Sequence, residues 1–336
     1  MTSKERCLAA IAGQPVDRVP VFPLLMFFSA DRAGITYRKF ASDGASLARA
    51  QLLIRERFGI DAITACSDAF RVSGDLGGEM IFPDDRPPYL ARPIVRDESD
   101  LTRIGRPDPT RPGSRMADRC NAVSIMSRAA GSDCLVLGWV DMPFAEACSI
   151  CGVSEFMLML VDRPKLAHAV LDRLAEIVID FAVAQVNAGA AMIGAGDAAA
   201  SLISPAMYRE FALPREQRVC QAVHDAGGLI KLHICGNTSA LIPDMISSGA
   251  DLFNVDHMVD FRQARDAYSA AGRCFKGNIN PVDLLTLRPD AASRRARELI
   301  ELAAGTPYML SPGCEIPAAV PDEVFAAFCE APEATG

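Results

Sequence analysis

Short apolar runs alternate with stretches of helical periodicity along most of the chain. Each run is rich in Val, Ile, Leu or Ala and is bounded by Gly, Pro, Asn or Asp, a pattern that predicts buried strands. The predicted strands lie within residues 14–22, 61–67, 134–140, 190–196, 229–236, 250–256, 274–279 and 307–313. Helical spacing predicts an N-terminal helix and further helices near residues 40–58, 144–161, 164–188, 205–225, 238–248, 260–272, 289–304 and 321–330.

This alternation predicts an α/β fold with a parallel sheet and, at eight strands, a (β/α)8 TIM barrel with an N-terminal helical extension. An open doubly wound sheet is the alternative. It would need a nucleotide-binding loop at its switch point, and neither G-x-G-x-x-G nor G-x-x-x-x-G-K-[ST] occurs. Residues 74–115, rich in Gly, Pro and charge, suit an excursion over the barrel mouth with a short hairpin. No linker separates a second domain, so we expect one domain over residues 1–336.

Composition narrows the class of protein. A chain of 336 residues, half of them hydrophobic, can bury a large core, and its formal charge of −8 argues against nucleic acid binding. The N-terminus lacks the apolar run of a signal peptide, and no stretch approaches the roughly 18 apolar residues of a membrane span. We expect a cytoplasmic protein that binds neither nucleic acid nor membrane. Its oligomeric state stays open.

Most of the eleven cysteines are expected to be reduced and to pack as small apolar side chains, because the cytosol keeps thiols reduced. Cys148 and Cys151 form a C-x-x-C, but they lie in a predicted helix and no second C-x-x-C completes a zinc site. We therefore interpret this pair as packing residues as well.

Polar residues are concentrated where the predicted strands end. A barrel enzyme builds its active site at the carboxyl ends of its strands, so this concentration indicates a functional site. The residues concerned are Asp68, Trp139, Asp141, Asp197, His233, Cys235, Asp256, His257, Asn278 and Cys314.

His233 and Cys235 are separated by one residue, so in a strand both side chains point to the same side. Cys314 follows the eighth predicted strand, which faces the fifth across a barrel mouth. An imidazole and two thiolates with a fourth position open describe a catalytic zinc site. The alternative is that His233 donates to a backbone carbonyl and both cysteines fill space.

Several motifs resemble one enzyme family. His233-Ile234-Cys235-Gly236-Asn237-Thr238, the stretch 277–282 (Gly-Asn-Ile-Asn-Pro-Val) and Ser311-Pro312-Gly313-Cys314 are similar to the zinc-binding methyltransferase branch of the uroporphyrinogen decarboxylase superfamily. The stretch 202–205 (Leu-Ile-Ser-Pro), followed by Tyr208, Phe211 and Pro214, is another signature of that superfamily. The resemblance runs from Pro15 to the C-terminus.

The resemblance implies a zinc-dependent methyltransferase. It would move a methyl group between a small methylated substrate or thiol and the cobalt of a corrinoid (cobalamin) on a separate partner protein. The family's H-x-C…C zinc motif maps onto His233, Cys235 and Cys314. A corrinoid-binding D-x-H-x-x-G is absent, because Ala222 stands where the aspartate would precede His224. The methyl donor, the methyl acceptor and the direction of transfer stay open.

The sequence offers further candidates for catalytic, substrate-binding and metal-binding residues on weaker grounds. Asp197, Asn278 and His257 are candidate catalytic residues, although a capping, a turn-forming and a structural role are their respective alternatives. Asp68, Trp139 and Phe27 are candidate substrate-binding residues, and Trp139 could instead pack beneath the loops. The fourth zinc ligand could be Glu146, Asp197, Glu315, substrate or water.

Two other functions remain open. Decarboxylases of the superfamily bind a tetrapyrrole through an arginine-rich N-terminal loop, and Ser67-Asp68 matches their Ser-Asp after the second strand. In this chain the corresponding stretch, residues 24–32, has a single arginine, Arg32, and two phenylalanines. This composition suits the binding of a small apolar group better than the binding of several carboxylates. The other alternative is a barrel that binds metal without catalysis.

Overall fold

Seven parallel strands form the main sheet of this computed structural model, which describes residues 1–335; Gly336, the last residue of the predicted domain, lies outside the described residues. The order in the sheet is β1-β4-β5-β6-β7-β8-β9, and a separate antiparallel hairpin pairs β2 with β3. The strands are β1 (Ala62–Thr64), β2 (Met80–Ile81), β3 (Tyr89–Leu90), β4 (Leu135–Asp141), β5 (Met192–Gly196), β6 (Leu229–His233), β7 (Leu252–Asn254), β8 (Cys274–Ile279) and β9 (Tyr308–Pro312). The predicted hairpin over the mouth is therefore confirmed.

Helices separate consecutive strands of the main sheet, as a parallel connection requires. They are α1 (Ser3–Ile11), α2 (Phe27–Arg32), α3 (Tyr37–Ser42), α4 (Gly44–Phe58), α5 (Arg71–Asp75), α6 (Glu98–Arg103), α7 (Arg115–Ala130), α8 (Pro143–Cys151), α9 (Val153–Asp162), α10 (Pro164–Asn187), α11 (Pro205–Met207), α12 (Leu213–Asp225), α13 (Ile242–Ile246), α14 (Phe261–Ala270), α15 (Pro289–Leu302) and α16 (Asp322–Cys329). Short 3-10 segments cover Ala198–Leu202, Asp283–Leu285 and Ala331–Thr335, and a π-helical turn covers Tyr208–Ala212. Each helix predicted from periodicity corresponds to helical structure, but residues 144–161 are divided into α8 and α9 at Gly152, and residues 205–225 are divided by the π-helical turn.

The two edge strands of the sheet, β1 and β9, are bridged by an extended segment around Val21. Its backbone bonds Leu310 of β9 on one side, and Val21 accepts the Asp61 N–H beside β1 on the other. The sheet is thus TIM-barrel-like, but this segment makes isolated bridges where the first strand is predicted. Pro20 and Pro23 flank it, and prolines have no N–H to extend a ladder.

The amino end of the sheet is covered by α1, the predicted N-terminal helical extension. Thr2 and Glu5 form a capping box at its start, which satisfies two backbone N–H groups. Cys7 and Ala10 of α1 pack in an apolar cluster with Phe22 and residues of six strands. Because this cluster seals one end, the other end is left for the polar residues.

Strand register brings the carboxyl ends together. Asp141 pairs with Gly196, and Gly196 pairs with His233, so the last residues of β4, β5 and β6 lie side by side. Within the described chain, no single helix is long and apolar enough to cross a membrane; α8 and α9, bent by 108°, meet the length and composition test only as a pair.

Candidate metal centre and active site

Three metal-ligand side chains converge at the carboxyl end of the sheet. His233 ends β6, Cys235 lies just beyond it, and Cys314 follows β9. The Cys235 Sγ is 3.1 Å from His233 Nε2 and 3.8 Å from Cys314 Sγ. Among the described residues this is the one group of three His, Cys, Asp or Glu whose ligand atoms all lie within 4.8 Å of one another.

The spacing of these atoms fits zinc. In a tetrahedral site with Zn–S bonds of about 2.3 Å, two sulfurs are about 3.8 Å apart, and the two Sγ atoms are separated by 3.8 Å. One imidazole and two thiolates are also the donor types that zinc prefers. The predicted fourth ligands Glu146, Asp197 and Glu315 are not members of the group. A substrate or water ligand in the fourth position would complete a tetrahedral site.

Asn254, at the end of β7, holds two of the three ligands in place. The His233 Nδ1 is 3.3 Å from the Asn254 carbonyl oxygen. A carbonyl only accepts, so Nδ1 carries the proton and the Nε2 lone pair faces Cys235. The Asn254 Nδ2 donates to Gly313 O at 3.1 Å, next to Cys314. Asn254 was not singled out from the sequence, although it is a polar residue that ends an apolar run and so carried the same signal as the others.

The charges around the ligands favour a thiolate. A hydrogen bond from the Cys235 thiol lowers the pKa of Cys314, and the same shared proton raises the pKa of Cys235. Lys231 lies two residues before His233 on β6, so the two side chains point to the same side of the sheet. Burial lowers the pKa of Lys231 to about 8. Its Nζ lies 4.6 Å from the centre of the Trp139 ring. This buried lysine was not singled out from the sequence.

A second buried lysine, Lys276, accompanies the first. Its Nζ donates to Ser311 Oγ at 2.9 Å and to the Phe22 carbonyl at 2.5 Å. Burial, and then repulsion from Lys231, lower its pKa. Two amines therefore lie under the thiols, where a barrel interior would ordinarily be apolar.

Trp139 and Phe27 contact residues that neighbour the candidate ligands in the sequence, Lys231 and Glu315 respectively. The Trp139 indole lies against the glycines of β5, since a Cβ on Gly194 would come within 2.5 Å of it and one on Gly196 within 3.1 Å. Phe27 stacks on Tyr37 at 3.8 Å, and its N–H donates to Glu315 Oε1 at 2.7 Å. Burial raises the pKa of Glu315 to about 8. These contacts link both predicted substrate-binding aromatics to chain segments that carry candidate ligands, and substrate binding by them stays a prediction.

Asp68 is placed differently from the other predicted substrate-binding residues. Its side chain has no exposed surface, and Arg115 bonds both of its oxygens at 3.0 and 3.1 Å. Ser67 and the Phe70 N–H donate to the same carboxylate. The arginines lower its pKa below the usual range despite burial. All of its lone pairs are used by the protein, so in this conformation none is free for a substrate.

Asp197, a predicted catalytic residue, is directed towards helix α8. Its Oδ1 accepts the Ala145 N–H at 2.8 Å in the first turn of α8. The side chain is fully buried, and burial together with Glu216 raises its pKa. The alternative considered from the sequence, a cap on the turn that follows Asp197, is not observed, because the side chain makes no capping bond to residues 198–202 and bonds helix α8 instead. The structure does not bring Asp197 to the metal-ligand cluster.

His257 and Asn278, the other two predicted catalytic residues, line a polar depression of about 600 Å³ at the edge of the mouth. The His257 Nδ1 lies 3.0 Å from Asp256 Oδ1, and about a third of its side chain is exposed. The Asn278 Nδ2 donates to the carbonyls of Asp256 and Val259, at 3.1 and 2.7 Å. Asn278 therefore holds the loop that carries His257, and neither joins the three ligands.

The fold and the site together define the class of protein. A family model for uroporphyrinogen decarboxylase (URO-D) matches residues 2–334, and the chain belongs to that family. It is 30% identical over 324 residues to the uroporphyrinogen decarboxylase of Xanthomonas euvesicatoria pv. vesicatoria, covering 91% of this chain and 89% of that protein.

Methyltransferases are also among its relatives. The chain is 26% identical to the methylcobamide:CoM methyltransferase MtaA of Methanosarcina barkeri, covering 96% of this chain and 95% of that protein. A solved methyltransferase from Methanosarcina mazei superposes with a TM-score of 0.89 at 26% identity, covering 100% of this chain and 99% of the other. These matches confirm the predicted resemblance to the superfamily and support its methyltransferase branch.

Proposed function

We propose that the chain is a zinc-dependent methyltransferase. It moves a methyl group between a small methylated substrate or thiol and the cobalt of a corrinoid carried by a separate protein. The observation that carries this proposal is the convergence of His233, Cys235 and Cys314 from two distant strands. The similarity to two Methanosarcina methyltransferases supports it.

Zinc bound by these three residues would act as a Lewis acid and keep a coordinated thiol deprotonated at neutral pH. The chain's own residues prepare that site. Asn254 fixes the tautomer of His233, and Trp139 with Phe27 walls the approach. Lys231 and Lys276 offset the negative charge of two thiolates from below. We also propose that the segment around Val21 takes the place of a first strand, completing an eight-stranded barrel in one domain.

Decarboxylation is the second candidate, because relatives at about 30% identity bear that name. In such an enzyme the aspartate after the second predicted strand would contact the substrate. Here that aspartate, Asp68, has no exposed side-chain surface and is held by Arg115. The three metal ligands also have no role in an unassisted decarboxylation. A barrel that binds metal without catalysis differs from our proposal only in turnover.

The rim of the barrel mouth carries exposed apolar side chains that a partner protein could cover. Leu202, Met258 and Val282 follow β5, β7 and β8, and their exposed fractions are 65%, 57% and 57%. Singly exposed apolar side chains are common on protein surfaces, so it is the shared position of these three after strand ends that supports a docking surface here. A corrinoid protein docked on this rim would face the metal-ligand cluster.

Cys314→Ala tests the metal centre. We expect zinc content to fall from one ion per chain to a small fraction and methyl transfer to cob(I)alamin or a cognate corrinoid protein to fall by more than about 100-fold, since even outer partners of a ligand are worth 10–100-fold. Folding should persist, because the site caps the barrel. Zinc is measured by elemental analysis and folding by circular dichroism.

Cys151→Ala is the matched control, because Cys151 is buried in α8 outside the cluster. It should keep both zinc and activity. Full zinc and full activity in Cys314→Ala would refute the assignment of the third ligand. Stoichiometric zinc with no turnover on any methylated substrate would favour the non-catalytic alternative.

Met258→Glu combined with Val282→Glu tests the partner surface. We expect the KM for a corrinoid protein to rise at least about tenfold, because two charges would be buried against the partner, while the rate with free cob(I)alamin stays unchanged. Val161→Glu is the control, since Val161 is 72% exposed on α9, away from the rim. An equal loss with free cob(I)alamin would instead place both residues in the catalytic site.

A further inference from the structure

A side cavity of about 400 Å³ opens on the same end of the sheet as the metal ligands. The loops after β1, β4 and β5 form its walls, and the β2–β3 hairpin covers one side of it. Its lining is mainly apolar: Phe70, Tyr89, Leu90, Pro93, Ala145 and Val153. No residue of the metal-ligand cluster lines it, so the cavity is a separate compartment of the mouth.

Asp141 is the one carboxylate among the residues that line this cavity. No lysine or arginine of the described chain makes an ion pair with it, in contrast to Asp68 on the neighbouring strand. Arg92, the one cation in the lining, has a side chain that is 79% exposed and lies 3.6 Å from Glu79. Burial raises the pKa of Asp141 to about 7. Asp141 accepts a side-chain hydrogen bond from Trp139, and a carboxylate can accept several. An apolar compartment with such a carboxyl group favours a ligand that donates a hydrogen bond to its remaining lone pairs.

The strand register relates this cavity to the metal ligands. Asp141 pairs with Gly196 and Gly196 with His233, so two strand spacings separate Asp141 from His233. Strands lie about 4.8 Å apart, which makes that separation about 10 Å. The Trp139 ring spans this interval, because it lies against Gly194 and Gly196 of the intervening strand. The Trp139 ring, of which little is exposed, therefore lies between the cavity and the cluster, and a molecule that reaches both would pass over its edge.

We propose that the side cavity binds the non-reacting end of the substrate, and that Asp141 accepts a hydrogen bond from it. The substrate class is an apolar molecule about 10 Å long, with a hydroxyl, amide or ammonium group at one end and the heteroatom that gives or takes the methyl group at the other. A carboxylate or sulfonate at the cavity end is disfavoured by Asp141. This inference rests on the proposed function, because it assumes that the reacting end lies at the zinc.

Binding of thiol probes to zinc-loaded protein tests the inference without turnover. Mercaptohexanol, hexanethiol and mercaptohexanoate share a chain of matching length and differ only at the far end. By titration calorimetry we expect mercaptohexanol to bind about tenfold more tightly than hexanethiol, as one hydrogen bond to a charged acceptor allows. Mercaptohexanoate should bind more weakly than either.

Two variants distinguish the cavity from the zinc. Asp141→Ala should remove the preference for mercaptohexanol and leave hexanethiol affinity unchanged. Val153→Trp should fill the cavity and weaken all three long thiols at least about tenfold. Its control is Leu158→Trp on the exposed side of the same helix, which should change nothing.

Mercaptoethanol, too short to reach the cavity, reports on the zinc alone and should bind wild type and every variant equally. If mercaptoethanol binds but the three long thiols show no preference, or if Asp141→Ala keeps it, the cavity inference is wrong. If mercaptoethanol itself fails to bind, the proposed function fails with it.

Discussion

Two sides of the barrel mouth have the same kind of sequence and opposite chemistry. On the side of β6 and β9, His233, Cys235 and Cys314 direct their donor atoms at one another. On the side of β1 and β4, Asp68 is bonded by Arg115 and Ser67 and lies near Arg71. Both groups occupy strand ends where barrel active sites are built.

The two groups of residues differ in whether their polar atoms still have unused hydrogen-bonding capacity. Every oxygen of Asp68 already has donors within the protein, and the guanidinium of Arg119 is held by the Trp139 carbonyl, the Asp68 carbonyl and the Ser67 hydroxyl. The metal-ligand cluster has more lone pairs than protons to share, which is the condition for binding a cation. The contrast predicts that the functional site is formed by the strand-end residues whose lone pairs the protein leaves unused.

Asp68→Ala should have the largest effect on stability. It leaves Arg115 and Arg71 without their buried carboxylate, and breaking a buried pair costs about 3–5 kcal/mol. We expect the free energy of unfolding in urea to fall by that amount while the protein that remains folded keeps one zinc per chain. Asp84→Ala is the control, because Asp84 and its partner Arg38 are both exposed and such pairs contribute about 1 kcal/mol or less. Lost zinc at unchanged stability would contradict the comparison.

The sequence predicted the parallel α/β architecture because apolar runs and helical repeats are local signals. The convergence of His233, Cys235 and Cys314 was also predictable, since the first two lie next to each other at the end of one strand and barrel geometry brings Cys314 opposite. Helix α7 was not predicted, because it buries Arg119 on the face where the pattern requires apolar residues. Burial of a charged side chain depends on partners distant in the sequence.

The remaining differences have the same origin. Asp68 and Asp141 end neighbouring strands and look alike in the sequence, yet one faces arginines and the other faces the side cavity. In the sequence, Lys231 interrupts the apolar run of a predicted strand. In the structure, its amine lies against the Trp139 ring. Neither environment is encoded within a few residues of the side chain, so local pattern could not predict it.

Asn254→Ala should have an intermediate effect, on zinc rather than on folding. It removes the bond to Gly313 O that holds the Cys314 loop, while the backbone carbonyl that accepts from His233 remains. Loss of such an outer partner lowers metal affinity by about 10–100-fold, and we expect the lower end because one of two contacts survives. Competition with a chelator measures it. Asn237→Ala, in the exposed turn after Cys235, should leave zinc affinity unchanged; equal losses in both variants would show that Asn254 has no specific role.

The smallest predicted effect compares Asp141 with Asp68 through pH. Burial raises the pKa of Asp141 to about 7 in the folded chain, whereas an unfolded aspartate titrates near about 3.9. Because the pKa of Asp141 is higher in the folded chain than in the unfolded chain, its contribution to stability is complete below a pH of about 4. That contribution is lost as the pH rises towards about 7. Asn does not titrate, so Asp141→Asn should match wild type near pH 4 and become more stable by about 1 kcal/mol at pH 7, partial exposure keeping the gain small.

Urea unfolding of zinc-free protein across this range measures the gain, because zinc binding would add its own pH dependence. Arg119, Asp68 and Glu146 all act on Asp141, and Glu146 also has a raised pKa, so the two carboxyls titrate together and the midpoint belongs to the pair. Asp84→Asn, fully outside this group, should show no trend with pH. A variant that loses stability relative to wild type as pH rises would mean that Asp141, like Asp68, is held as a carboxylate by arginines, and the contrast between the two aspartates would disappear.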